Sequence, residues 1–228
     1  MEKNEFLKKE GDFKPRQSGI PDKGPGLSGK AFGIIKFILG VCFLPFVYSS
    51  SISFWNEFGL IDKELQSNFW SGVISLLVIY LFAWEPAIIY SKGHKLLEII
   101  FNFFKPLLKV APYLLPIYTI VLFILYAILA GIIKDAWLIK YSIFLAGFTL
   151  ALHLVFSAKA IRSKKGDFLK GNYIFGFSFI YVVNIALLCF CLNLIFKEFS
   201  FVNFSNSTYS LAKDIFSAVF KQLFIPAR

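Results

Sequence analysis

Five long apolar stretches divide this 228-residue chain into segments of membrane-spanning size. A bilayer hydrocarbon core is about 30 Å thick, and a helix needs about 20 residues to cross it. The stretches are continuous rather than alternating in hydropathy, which favours helices over the strands of a membrane barrel. The sequence therefore predicts an all-α polytopic membrane protein with five transmembrane helices. The predicted spans lie near residues 33–53, 69–90, 113–133, 141–158 and 173–196.

The overall composition excludes an ordinary soluble domain. Hydrophobic residues make up 57% of the chain and charged residues 17%, whereas soluble domains are about 45–50% apolar and about 25% charged. The first apolar stretch follows a polar N-terminal segment and is not followed by a small-residue cleavage site. We therefore interpret it as a retained span and not as a signal peptide.

The distribution of Lys and Arg predicts the orientation. With the N-terminus in the cytoplasm, the inside segments hold 16 of these residues and the outside segments hold 7. This is the bias of the positive-inside rule, and Trp55, Trp70 and Trp137 then fall at the outer ends of spans, where aromatic belts form. We expect a cytoplasmic N-terminus and an outside C-terminus, in a plasma or inner membrane. The topology explains the net charge of +10 without a nucleic-acid partner.

The segments outside the spans have distinct predicted roles. Residues 1–30 are rich in Lys, Gly and Pro, which is typical of a disordered cytoplasmic tail. Residues 31–199 form the membrane domain, in which 92–109 show the polar stripe of a helix lying at the inner surface. Residues 200–228 are predicted to carry an amphipathic helix on the outer side, starting near Ser207, which lies on the outer surface or packs on the bundle.

Basic side chains at the predicted cytoplasmic face are candidates for binding lipid headgroups. Anionic lipids at the inner surface attract clustered Lys and Arg, so membrane lipids are the expected partners. The candidate contacts are Lys92, Lys95, Lys105, Lys109, Lys159, Arg162, Lys164, Lys165 and Lys170.

Ionisable and polar residues inside the spans form the candidate site. Each ionisable group costs roughly 2.5–3.5 kcal/mol in the bilayer, so each needs a physical reason. Counting along the predicted spans puts Lys36, Glu85 and His153 in the inner third of the membrane, with Asn184 deeper in the fifth span. Glu85 precedes Pro86, whose missing N–H breaks the helical hydrogen bonding. The set is interpreted either as structural pairs or as a proton or substrate site, with snorkelling of Glu85 to water a further alternative.

The sequence contains no recognisable catalytic or metal-binding motif. Three Cys lie within spans at different depths, and no cofactor is expected. Ser49, Ser50, Ser51 and Ser53 leave a serine hydrolase open, although no His lies at their depth.

These observations favour a non-catalytic membrane subunit or scaffold that binds a protein partner or lipid. The alternative is a small transporter or channel-like protein that forms a homo-oligomer and uses Glu85 and His153. A weaker alternative is an enzyme that acts on lipid through His153.

Overall fold

The chain is all-helical over the part that a computed structural model describes. Helices take up 91% of these residues, and none of them is in a strand, which confirms the all-α prediction. Residues 1–32 and 33–228 form two separate compact units. Of the first unit only residues 27–32, which are helical, are described. Most of the predicted disordered tail, residues 1–30, therefore lies outside the described part. The described residues are 27–83, 87–100, 111–133, 135–162 and 173–224.

Eight helices follow one another along the described residues. Asp62 caps α2, because its side chain accepts a hydrogen bond of 2.8 Å from the Glu64 N–H. A π-helical turn, Ile79–Ala83, continues α2 at its end. The helices are α1 (Leu27–Phe58), α2 (Lys63–Val78), α3 (Ala87–Ile100), α4 (Ala111–Leu114), α5 (Ile117–Ala130), α6 (Ala136–Arg162), α7 (Tyr173–Ile195) and α8 (Phe201–Phe224).

Four segments of the described chain are long and apolar enough to cross a membrane: Gly33–Phe58, Lys63–Phe82, Ala136–Arg162 and Tyr173–Ile195. A further apolar helix, α5, has only 14 residues, because the chain is interrupted at Pro116 just before it. The predicted fourth span, 141–158, was the shortest, but it belongs to the 27-residue helix α6, which continues through polar residues at both ends.

Helices α2 and α6 cross with their backbones in contact. A Cβ atom on Gly72 would lie 2.0 Å from the Phe144 carbonyl oxygen, and one on Gly147 would lie 2.1 Å from the Phe69 carbonyl oxygen. Only glycine fits at either position. The close approach is the small-residue packing that joins helices in membranes, where the hydrophobic effect does not drive association.

Helix α3 packs against the bundle through its small and apolar residues. A Cβ on Gly93 would lie 2.7 Å from the Tyr118 ring, and Leu97, one turn further on, is buried. Lys92 and Lys95 are exposed. α3 covers the first part of the predicted surface helix 92–109, and residues 101–110 lie outside the described part of the chain.

Helix α8 turns back along the bundle. Its first ring, Phe201, lies 5.8 Å from Phe190 of α7, centroid to centroid. Further along, the Phe216 ring lies 5.8 Å from that of Phe46 in the middle of α1. α8 therefore runs antiparallel to α1 and contacts it well away from the end of α1.

Candidate functional site

The candidate site lies at the helix break between α4 and α5, where the chain is continuous but the helical hydrogen bonding is interrupted. Pro116 has φ −77° and ψ 75°, and the Ile117 N–H bonds to the Leu115 carbonyl at 2.9 Å. This is an inverse γ-turn, and proline supplies no N–H of its own. The α-helical bonding pattern is therefore interrupted for the carbonyls of Tyr113 and Leu114, and inside a membrane such groups need other donors.

Two side chains of α6 supply donors to the first carbonyl. The Nε2 atom of His153 lies 3.0 Å from the Tyr113 oxygen, and the Ser157 hydroxyl donates to the same oxygen at 3.2 Å. Because a carbonyl only accepts, the His153 bond requires its proton on Nε2. His153 and Ser157 are one helical turn apart, with Nε2 and Oγ 3.3 Å from each other.

Helix α7 supplies the donor to the second carbonyl. The Nδ2 group of Asn184, which is fully buried, donates to Leu114 at 3.0 Å and to Ile180 of its own helix at 2.8 Å. Among the described residues, its buried Oδ1 atom has no hydrogen-bond partner. We call this group the break cluster: the carbonyls of Tyr113 and Leu114 with the side chains of His153, Ser157 and Asn184.

The structure thus brings together two of the four predicted site residues, His153 and Asn184. Lys36 is only 4% exposed on α1. One turn above it, a Cβ on Gly40 would lie 2.9 Å from the Phe175 nitrogen at the start of α7. Asn184 is about 13 Å further along α7 at 1.5 Å per residue, so Lys36 and Asn184 lie at different heights. Glu85 lies outside the described residues.

Four of the nine predicted headgroup contacts fall in the described part of the chain. Lys92, Lys95, Lys159 and Arg162 are all exposed. The other five lie outside it: Lys105, Lys109, Lys164, Lys165 and Lys170.

A second polar site, at the start of α8, was missed in the sequence. Ser200 caps the helix by accepting from the Asn203 N–H at 3.2 Å. The Ser200 N–H donates to the Glu57 carboxylate at 3.2 Å, and the Phe201 N–H donates to the Asn193 side chain at 2.9 Å. Glu57 at the end of α1 is 9% exposed. Its negative charge lies at the positive N-terminal end of α8, where it is stabilising.

The sequence carried a signal for Glu57. Ser49, Ser53 and Glu57 are spaced by four residues, which places them along one face of α1, and all three are buried. Within the described part of the chain, the hydroxyls of Ser49 and Ser53 have no hydrogen-bond partner. Glu57, the last residue of this row, accepts the Ser200 N–H at the start of α8. α8 begins at Phe201, six residues before the predicted start at Ser207.

The two neighbouring serines of α1, Ser50 and Ser51, make hydrogen bonds. Ser50 and Ser51 both donate to the Val47 carbonyl, and the Ser51 hydroxyl lies 2.8 Å from the Tyr181 hydroxyl of α7. Among the described residues, no group of three His, Cys, Asp or Glu side chains gathers where a metal ion would bind. These contacts join helices, and among the described residues Asn184 Oδ1 is the unpartnered buried acceptor that lies at the helix break.

Searches of protein-family models, of curated proteins and of solved structures found no match to this chain. The function is therefore argued from the geometry alone.

Proposed function

We propose that this chain is a non-catalytic subunit or scaffold of a membrane complex, with five crossings, binding a protein partner and lipid. The observation that carries this proposal is the break cluster. Buried side chains of α6 and α7 donate to backbone carbonyls at the end of α4, just before α5, and so hold the helix break against these two helices. A rigid bundle with short connections presents fixed surfaces, as a scaffold requires.

The contacts support a fifth crossing by α5. The Lys140 ammonium of α6 pairs with the Glu64 carboxylate of α2, so these two helices begin at the same end of the bundle. Since α2 carries the chain to the other end, the segment before α6 must bring it back. The hydroxyls of Thr119 and Thr149 lie 3.0 Å apart, which places α5 alongside α6.

The height of the break fits this crossing. His153 lies about 24 Å from Trp137 along α6 at 1.5 Å per residue. The break is then close to the inner boundary of a hydrocarbon core of about 30 Å. A helix of 14 residues and the turn before it therefore suffice to complete the fifth span.

The exposed basic side chains favour a cytoplasmic position for the end of the bundle that holds the break. Lys159 and Arg162 at the end of α6, and Lys92 and Lys95 on α3, are all exposed. Anionic headgroups at the inner membrane surface would bind them. This orientation places the N-terminus in the cytoplasm of a cell with this protein in its plasma or inner membrane.

Native mass spectrometry of the chain released directly from its source membranes tests the proposal. We expect a stoichiometric complex heavier than the 26.0 kDa monomer, with a protein subunit retained after mild detergent exchange. A chain that is monomeric at every detergent concentration, in membranes in which it is abundant, would contradict the scaffold proposal.

One observation favours a second candidate, a small transporter. Asn184 Oδ1 is a buried acceptor next to a broken helix, and no donor among the described residues bonds to it. Transporters build ion and substrate sites from broken helices at membrane depth. In this proposal Glu85 and His153 would bind or relay the transported species. Purified protein in liposomes would then show a proton or sodium flux that Glu85→Gln and Asn184→Leu both abolish while the fold is retained.

A further inference from the structure

Helix α8 has a fixed starting point at one end of the bundle. Three of its first N–H groups bond to Glu57, Asn193 and Ser200, which belong to α1, α7 and the cap of α8 itself. From there α8 descends along α1 until Phe216 contacts Phe46. Glu57 and Phe46 are about 16 Å apart along α1 at 1.5 Å per residue.

The second half of α8 lies beside the membrane-spanning part of α1. Trp55 of α1 and Trp70 of α2 are in ring contact, 5.7 Å apart, where an aromatic belt is expected. Phe46 is about 13 Å below Trp55 along α1, which is close to the middle of a core of about 30 Å. Phe216 reaches the same depth. Of the two locations expected for this helix, the outer surface and the bundle, these contacts favour the bundle.

The two faces of α8 differ in polarity. The face towards the bundle carries Phe204 and Ala212, which are 4% and 1% exposed. The opposite face carries a row of exposed polar residues spaced by three and four, which we call the polar stripe. The stripe consists of Asn203, Asn206, Ser207, Ser210, Lys213, Asp214, Ser217 and Lys221.

Lipid cannot solvate this stripe at the depth of Phe216. Charged side chains at the bilayer centre are strongly disfavoured unless they face protein or a water-filled cavity. We propose that the polar stripe is covered by the polar stripe of a second copy of this chain, related by a two-fold axis along the membrane normal. The proposal rests on the proposed function as a scaffold and identifies its partner.

The stripe is self-complementary under such an axis. Ser210 and Ser217 are seven residues apart on its midline, and their small side chains allow two helices to approach closely. Lys213 and Asp214 lie on opposite sides of that midline, because successive residues are about 100° apart around a helix. A two-fold axis places Lys213 of each copy opposite Asp214 of the other. Two such pairs would form, each with both signs of charge.

Disulfide crosslinking in native membranes tests the stripe. The background carries Cys42→Ala and Cys191→Ala, since these thiols are not fully buried, and keeps the buried Cys189. Ser210→Cys on the midline should crosslink two copies with a mild oxidant. The matched control is Tyr209→Cys, which is 67% exposed at the same depth but about 100° away around the helix. We expect at least a tenfold lower yield of crosslinked dimer from the control.

Charge exchange tests the pairing without added cysteines. Lys213→Asp and Asp214→Lys each place like charges opposite one another, so each should reduce dimer formation in a resonance energy transfer assay by tenfold or more. The double variant, in which both charges are exchanged, should restore it. Restoration would not follow if the two residues only affected folding.

Three outcomes would overturn the proposal. They are equal crosslinking at positions 209 and 210, no crosslinking at either, and labelling of both by a membrane-impermeant maleimide, which would place α8 in water. A complex that contains a different protein and no second copy would also overturn it, but would leave the scaffold proposal standing. A strictly monomeric chain would overturn both.

Discussion

The α2–α6 crossing and the break cluster join helices of the same bundle in opposite ways. At the crossing, Gly72 and Gly147 have no side chains and two backbones meet directly. At the break, His153, Ser157 and Asn184 reach across to backbone carbonyls that lack helical partners. The first contact consists of van der Waals packing over a wide area, and the second of a few directed hydrogen bonds.

This difference shows how the bundle tolerates an irregular chain. Packing alone cannot compensate for the unpaired carbonyls at a helix break, because each unsatisfied carbonyl in lipid costs several kcal/mol. Hydrogen bonds alone hold helices weakly, since those between membrane helices average about 0.6 kcal/mol. We therefore expect substitutions at the crossing to destabilise the fold more than substitutions at the break.

The largest effect is expected from Gly72→Ala and Gly147→Ala. A Cβ at either position meets backbone that cannot rotate away, so the helices must separate, at a cost of about 3 kcal/mol or more. Unfolding in mixed detergent micelles should show this as a large loss of stability. Gly33→Ala is the control, because no atom lies within 4 Å of its Cβ position. Wild-type stability in either crossing variant would show that the two backbones do not meet.

An intermediate effect is expected from His153→Leu. It removes one donor to the Tyr113 carbonyl and should reduce the free energy of unfolding by about 1–2 kcal/mol. His153→Gln is the matched control, since its amide N–H can donate to the same oxygen. If both variants lose equal stability, the shape of the imidazole and not its hydrogen bond is what matters.

A smaller effect is expected from Ser157→Ala, at most about 1 kcal/mol, because His153 still donates to the shared Tyr113 oxygen. The double variant with His153→Leu should lose more stability than the sum of the two single variants, since it leaves the carbonyl without either donor. Unfolding free energies of the four proteins measure this coupling. Strict additivity would mean that the two side chains act at separate sites.

The smallest effect is expected from Thr149→Val. Its hydroxyl pairs with Thr119 at 3.0 Å and also donates to the Leu145 carbonyl of its own helix at 2.8 Å. The loss should be about 0.6 kcal/mol, as is typical of hydrogen bonds between membrane helices. A double-variant cycle with Thr119→Val separates the interhelical part. A coupling energy comparable with the effect of the glycine substitutions would contradict the expectation that a hydrogen bond between these helices contributes less than backbone packing.

The sequence predicted the helical class and the positions of the apolar segments, because both depend on local hydropathy. The third predicted span, 113–133, covers the break at Pro116, and residue hydropathy gave no sign that α5 would begin only at Ile117. Contacts between helices, such as that of Gly72 with Phe144, could not be predicted from the sequence. A small residue that faces another helix cannot be distinguished by hydropathy from one that faces lipid. His153 and Asn184 were assigned different depths, because residue counting cannot show that two neighbouring carbonyls bring them together.

The amphipathic pattern of α8 was predicted, but its start and its position on the bundle were not fixed by the sequence. A polar helix face allows either an outer surface or packing on the bundle, and where the helix is anchored decides between them. Glu57, which binds the Ser200 N–H, belongs to a different helix 143 residues earlier, and no local pattern links the two.

We interpret the polar side chains of the break cluster as structural, and the thermal stability of Asn184→Leu distinguishes this interpretation from a transport site. Leu cannot donate to the Leu114 carbonyl, and its similar size limits other changes. We expect a lower unfolding temperature in detergent, with the native complex still formed by the folded fraction at low temperature. Unchanged stability together with a lost ion flux would contradict it and identify Asn184 as part of a transport site.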